Sequence, residues 1–468
     1  MDFEINKTVP DDWSIKSISD VCINVTSGGT PSRRKPEYYE NGKYNWIKTK
    51  ELDNGWIRET EEYITEEALN NSSAKLLPEN TVLLAMYGAT VGELGILASE
   101  MTCNQACCAM IVDPEQADYR YLFYLLLSQK SNIKSLATGA AQQNLSAAQI
   151  KSFRFPFPEI EKQKEIAQII GDLDDKIELN RQTNQTLEQI AQAIFKTWFV
   201  DFEPVKAKIT AKQNGQDPEL AAMFAISGKI EDQLKVLDEA ALQQLKTTAA
   251  LFPDALVESE LGEIPEGWEA KPLYETAEYI NGAAFKSKDF TMDGEGLPII
   301  KIAELKGGIS AGTKFTNETY KDKYFIQNDD VLYSWSGSPE TSLEVFKWFG
   351  GNGWLNQHIF KLNFESQDQK YFTYYLLKHM KPVLIATAQQ KQTTGLGHIT
   401  VADMKRIKIT LPSSGLLHEF MSYVSPMYEK GSNTEKESKA LIEIRDSFLP
   451  KLLSGEIEFK NKEVRNES

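Results

Sequence analysis

Two kinds of side chain in this sequence carry recognisable chemistry, planar amides and long cations, and they gather at particular places. The first half offers Arg33-Arg34-Lys35, then Lys48-Thr49-Lys50, read as a strand, with Arg58, then Gln142-Gln143-Asn144, with Tyr87 standing before Gly88. The second half offers Lys286 and Lys288, Lys301, Ser334-Trp335-Ser336, and the run holding Gln389, Lys391, Gln392 and Thr394, with His358 and His398 beside it. Amides present a donor and an acceptor side by side, the pattern that matches adenine, and Arg or Lys match guanine. Cations also sit on phosphates and fix position. Any one of these groups reads as a solvated loop. Together they point to contact with nucleic acid through loops on a rigid scaffold.

Bond-making chemistry is not legible in the same way. There is no Gly-x-x-x-x-Gly-Lys-Ser/Thr loop and no His-Glu-x-x-His, so catalytic residues: none are expected. Phe349-Gly350-Gly351-Asn352-Gly353 mimics the glycine turn of an S-adenosylmethionine site, but Trp354-Leu355-Asn356-Gln357 follows it where a helix is required; a hairpin turn is the expectation. Cys103, Cys107 and Cys108 lack paired spacing and a nearby histidine, so they read as buried reduced thiols and not as a zinc site. The histidines His358, His379, His398 and His418 are scattered. Cysteine usage, the absence of a leader-like start and the absence of a long apolar run predict a cytoplasmic chain with no membrane segment. The net charge of -16 is unusual for a nucleic-acid binder. It predicts weak binding by the chain alone and strong binding within a complex.

The elements that hold these residues are duplicated. Pro10-Asp11-Asp12-Trp13 recurs as Pro265-Glu266-Gly267-Trp268, and Ile47 to Leu52 as Ile300 to Leu305. Asn80-Thr81-Val82-Leu83 recurs as Asp329-Asp330-Val331-Leu332, Asn104-Gln105 as Asn356-Gln357, Tyr121 to Tyr124 as Tyr371 to Tyr374, and Pro158 as Pro412. The offset stays at about 250 residues, so two long copies of one fold lie in one chain. Short apolar runs at residues 81–86 and 330–335 read as strands, and residues 119–128 and 370–379 as helices. Mixed elements without regular alternation predict an α+β domain around a twisted sheet in each half.

A different pattern follows each domain. Ile166, Ile170, Leu173, Ile177, Asn180, Asn184, Leu187, Ala191, Ile194 and Trp198 alternate steps of four and three, a coiled-coil seam. Phe420, Val424, Met427, Gly431, Thr434, Ser438, Leu441, Arg445, Phe448 and Leu452 repeat it, with Pro426 predicting a kink or a late start. A helix over residues 159–199 would extend about 60 Å. Its apolar stripe needs cover, so the two helices are expected to pair antiparallel as a spacer, the alternative being that each packs on its own domain. Between the halves, residues 230–245 place Leu234, Leu237, Ala241 and Leu245 on one helical face, read as a connector or a partner-docking helix. The expected boundaries are 1–158, a first domain; 159–202, a central helix; 203–262, a linker with a helical insertion; 263–412, a second domain; 413–458, a distal helix; and 459–468, a polar tail.

Several stretches resemble the specificity subunits of type I restriction–modification enzymes, the HsdS family. They are Gly28-Gly29-Thr30-Pro31-Ser32, residues 138–146, Phe155-Pro156-Phe157-Pro158, Trp198-Phe199-Val200-Asp201-Phe202-Glu203-Pro204, and residues 258–268. The second half departs from the pattern, with Asn281-Gly282-Ala283-Ala284-Phe285 in place of Gly-Gly-Thr-Pro and a loop, Thr393-Thr394-Gly395-Leu396-Gly397-His398, that lacks the paired glutamines. The resemblance implies two target-recognition domains on a pseudo-two-fold frame, reading the halves of a split, asymmetric site in double-stranded DNA, with the helix pair setting the gap. It implies partners: two methyltransferase subunits and restriction (translocase) subunits. It also implies that S-adenosylmethionine, ATP and Mg²⁺ belong to those partners, with no cofactor and no metal in this chain. The rival expectations are a protein-binding scaffold of another phage-defence complex that does not read DNA directly, and an enzyme such as a fused methyltransferase.

Overall fold

Every residue of the strand Val82–Ala85 is apolar and buried, because the sheet it centres is covered on both faces. Successive side chains on a strand point to opposite faces. Val82 and Leu84 join one apolar cluster with Cys108, Met110 and the helix Tyr119–Ser128, whereas Leu83 and Ala85 join another with Cys107 and Ala109. The sheet runs in the order Cys22–Ser27, Cys107–Val112, Val82–Ala85, Leu94–Leu97, Gly55–Ile57, antiparallel except for its last pair. A smaller sheet sets Tyr44–Ile47 parallel to Thr102–Cys103.

This computed structural model describes residues 10–138, 144–292, 294–391 and 396–457. The chain divides into two units, residues 1–178 with 439–468, and residues 179–438. The second unit rebuilds the architecture of the first. Glu278–Asn281, Ile359–Asn363, Val331–Ser334 and Glu344–Lys347 form an antiparallel sheet in that order. Leu297–Ile300 lies parallel to Gly353–Leu355. Alternation recurs too: Val331 and Tyr333 enter one cluster and Leu332 another. The fold of each domain is α+β.

The helices Ile160–Phe199 and Ser414–Leu453 each contribute residues to both units. In the first unit Ile166 and Ile170 share a core with Leu449, Leu452 and Leu453, and Arg445 Nη1 donates to Asp174 Oδ1 at 2.8 Å. In the second, Asn180 Nδ2 donates to Glu437 Oε2 at 2.8 Å and to Ser438 Oγ at 3.3 Å, and Thr434 Oγ1 donates to Asn184 Oδ1. Rising numbers on one helix meet falling numbers on the other, so the pairing is antiparallel. The polar seam positions find each other, which selects register at a cost in stability. Leu173, Ile177, Leu187, Ile194 and Leu441 are half-buried along the seam. Where the central helix ends, Phe195, Trp198 and Phe199 meet Phe372 and Phe420 in edge-on and tilted contacts, with centroids 5.0–6.0 Å apart. Such pairs add about 0.5–1.5 kcal/mol each beyond burial.

Four expectations are corrected. Phe448 is 36% exposed and Leu449 takes the buried place, because the observed steps are 441, 445, 449, 452. The helix Ser414–Leu453 runs through Pro426 without a break; a proline deletes one N–H, and the packed face supports the remaining turns. Residues 230–245 form two helices, Glu231–Leu234 and Glu239–Leu251, because Asp238 accepts from Ala241 N–H and starts a new one. With Glu203–Gln213 and Pro218–Ser227 they build a small core of Ala222, Met223, Leu234, Leu245 and Ala249. The glycine turn 350–353 is no hairpin: it carries the chain from Glu344–Lys347 in one sheet to Gly353–Leu355 in another.

Cys107 and Cys108 are neighbours on a strand, so their thiols face opposite sides of the sheet. Burial pushes the Cys108 thiol up to about 12. Among the described residues, no helix is long and apolar enough to cross a membrane.

Candidate nucleic-acid interface

The loops that carry the amides and cations are tied together by one tight turn in each domain. In the first, Asn104 C=O accepts from Cys107 N–H at 3.2 Å, and Asn104 Oδ1 accepts from Ala106 N–H at 3.0 Å. Around it, Asn104 N–H donates to Ile47 C=O, Gly29 N–H to Cys103 C=O, Gly28 N–H to Cys107 C=O, and Met86 N–H to Ala106 C=O, all at 2.8–3.1 Å. Leu145 N–H then donates to Met86 C=O at 2.9 Å. The segments holding Thr30 to Lys35, Lys48, Tyr87 and Asn144 thus converge on the turn. A Cβ on Gly28 would stand 2.2 Å from Cys103 O, so only glycine permits this approach.

The second domain makes the same bonds. Asn356 C=O accepts from Ile359 N–H at 3.2 Å, and Asn356 N–H donates to Ile300 C=O at 3.0 Å. Ala283 N–H donates to Leu355 C=O, Gly282 N–H to Ile359 C=O, Trp335 N–H to His358 C=O, and Ile399 N–H to Trp335 C=O, at 2.8–3.3 Å. A Cβ on Gly282 would stand 2.2 Å from Asn356 O. This gathers the segments of Lys286 and Lys288, Lys301, Trp335 and His398 about the turn that carries Gln357 and His358.

The side chains on the two frames differ. In the first domain, Arg33 pairs with Glu62 at 2.6 Å and lies over the Tyr39 and Trp46 rings. Lys48 pairs with Glu62 at 2.7 Å and with Glu61 at 3.1 Å, and Lys50 with Glu61 at 2.5 Å. Hydrogen bonds from Lys50 and Lys48 hold the Glu61 carboxyl below the usual range, and Arg33 does the same for Glu62. Three of the expected basic residues therefore form a mixed-charge network. Lys35 Nζ donates to Tyr38 Oη at 2.9 Å. Arg34, Arg58, Tyr87 and Asn144 are exposed. Tyr87 and Asn144 form a single antiparallel bridge. Gly88, at φ +72°, has nothing within 4 Å of the place a Cβ would take. Gln142 and Gln143 lie outside the described residues. Thr49–Glu51 is a 3-10 turn, correcting the strand expected around Lys48 and Lys50; Lys48 N–H donates to Glu51 Oε2 at 2.7 Å and closes the turn.

In the second domain the frame carries aromatic rings. Trp335 lies 5.6 Å from His358 and 5.8 Å from Phe360, and its Nε1 donates to Asn281 Oδ1 at 3.0 Å. Ser336 and Gly337 pair with His398 and Gly397. Lys286, Lys288, His358, Gln389 and His398 are exposed, and Lys301 is half-buried over the Phe290 ring. Ser334 is corrected: it points into the sheet and is fully buried, where no base reaches it. Lys391 pairs with the buried Asp403, and Gln389 Nε2 donates to Glu340 Oε1 at 2.6 Å. Burial alone would raise the Asp403 carboxyl; hydrogen bonds from Lys391 and Thr400 outweigh it and hold it at about 2. Gln392 and Thr394 lie outside the described residues.

Residues 10–189 and 265–443 both match the family described as the type I restriction modification DNA specificity domain. The chain belongs to this family. The specificity subunit of the MjaIX type I restriction enzyme of Methanocaldococcus jannaschii is 28% identical over 463 residues, 96% of this chain and 94% of that one. The HindI specificity subunit of Haemophilus influenzae is 32% identical over 370 residues, 75% of this chain and 78% of that one. The crystal structure of the S subunit of a type I restriction–modification system from M. genitalium shares the fold at a TM-score of 0.51 and 18% identity, covering 96% of this chain and 98% of that chain. Each matched stretch contains one of the two frames just described. Glu61 and Glu62, which occupy the cations of the first specificity domain, were missed at the sequence level because they lie ten or more residues from Lys48 and Lys50. The turns at Asn104 and Asn356 did leave a sequence signal, since both belong to the duplicated pairs.

Proposed function

We propose that this chain reads a split DNA site for a type I restriction–modification complex, one half-site per domain, and carries no reaction itself. The observation that carries the reading is the recurrence of one hydrogen-bonded frame under two different sets of amides, rings and cations. A common frame with different faces is what two unlike half-sites require. The helices Ile160–Phe199 and Ser414–Leu453 set the gap between half-sites and offer docking faces to two methyltransferase subunits. Those partners supply S-adenosylmethionine chemistry on adenine, and restriction subunits supply ATP- and Mg²⁺-dependent translocation and cleavage, in the cytoplasm. The net charge of -16 and the Glu61–Glu62 network fit a chain that grips DNA firmly only with its partners.

Exchange of residues 1–158 for those of a relative tests the reading, with methylated adenines mapped in host DNA. One half-site changes and the other persists; a change in both, or in neither, overturns it. Insertion of one helical turn in both long helices lengthens the gap and leaves each half-site unaltered. The same acidic charge favours, as a second reading, a protein-binding scaffold that never touches DNA. Absence of sequence-specific binding by the chain with its methyltransferase partner would establish that reading instead.

A further inference from the structure

Resting on that reading, we infer that Gln105 and Gln357 are equivalent base-reading residues, each engaging the major-groove edge of an adenine in its own half-site. Both glutamines follow the asparagine of the tight turn, and both are exposed. Their backbone positions are set by the same bonds in each domain: the asparagine N–H to the parallel strand, the glycine loop on one side, and the strand of Met86 or Trp335 on the other.

Each amide is also oriented, by a different neighbour. Thr30 Oγ1 donates to Gln105 Oε1. Gln357 Nε2 lies 3.4 Å from His358 Nε2. A carbonyl oxygen has two lone pairs, so Gln105 Oε1 holds Thr30 and still accepts from an adenine N6–H, while Nε2 donates to N7. An amide held this way surrenders little rotamer entropy on binding, which is the use of a preorganised contact. The loops around each turn differ in charge and ring content, so they read the remaining bases. The glutamines supply the one feature the two half-sites share.

The test uses the full chain co-produced with its methyltransferase partner, and duplex oligonucleotides carrying the site mapped from methylated adenines. Wild-type discrimination between that duplex and a scrambled one is measured first, and its absence would sink the DNA-reading function rather than this assignment. Given discrimination, Gln105→Ala weakens cognate binding roughly tenfold to a hundredfold and erases preference at one A·T pair of one half-site. Gln357→Ala does the same in the other half-site. Gln105→Glu keeps the turn and exchanges the amide for an acceptor of cytosine N4–H, so the preference at that pair moves towards C·G, an outcome that misfolding does not imitate. Unchanged affinity, equal weakening on cognate and scrambled duplexes, or loss in both half-sites from one substitution overturns the assignment.

Discussion

The two specificity domains hang opposite chemistry on the same bonds. The first surrounds its turn with ion pairs: Arg33, Lys48 and Lys50 on Glu61 and Glu62. The second surrounds its turn with rings, Trp335 against His358 and Phe360. Backbone bonds to Asn104 and Asn356 need no particular side chain beyond the asparagine and the glycines that let strands approach. The frame therefore survives while the exposed residues diverge. The lesson is that backbone geometry specifies where reading happens, and side chains specify what is read.

The largest effect that would break this symmetry is on the frame. Gly28→Val and Gly282→Val each drive a side chain into a backbone carbonyl and cost about 3 kcal/mol or more of their own domain's stability. Thermal unfolding should show matched losses; a large loss in one domain alone would mean the frames are not equivalent. On the helices, Leu449→Ala costs about 2–3 kcal/mol, whereas Phe448→Ala costs under about 1 kcal/mol because the ring is already wet. The reverse order in denaturant titration would restore the seam expected from spacing.

A smaller difference lies in the capping boxes. Ser146 with Gln149 opens a helix in the first domain, and Thr400 with Asp403 opens its counterpart in the second. Gln149 does not titrate. The Asp403 carboxyl lies at about 2, below its ordinary 3.8, so its contribution is complete above about pH 4 and is lost as pH falls towards 2. Acid should weaken the second domain by about 1–2 kcal/mol through this group, and Asp403→Asn should flatten the pH dependence. Smallest in stability, but informative for function, is Glu62→Gln. It releases Arg33 while Lys48 keeps Glu61, so binding to random duplex should strengthen and the log–log salt dependence should steepen by about one. No change in slope would mean that Arg33 does not face phosphate.

Much of this was legible without coordinates, and for a local reason. Apolar alternation and its duplication declare strands, helices and copy number, because period and propensity are properties of neighbouring residues. The helical seam from Ile166 to Trp198 was readable on the same grounds, as was the helix Tyr119–Ser128. Phe448 was misplaced because a spacing of three or four leaves two candidates per turn, and only the facing helix chooses between them. Ser334 was misplaced because its strand neighbours Tyr333 and Trp335 do not reveal which face the sheet covers.

What the sequence determined by itself was a doubled α+β chain with two long pairing helices and clusters of amides and cations. Tertiary structure alone decided which of those cations are already spoken for, and that Gln105 and Gln357, matched by the duplication, stand exposed on hydrogen-bonded turns. Partners such as Arg33 and Glu62, or Asn104 and Ile47, lie tens of residues apart. Pattern along the chain does not register a distance that only folding closes.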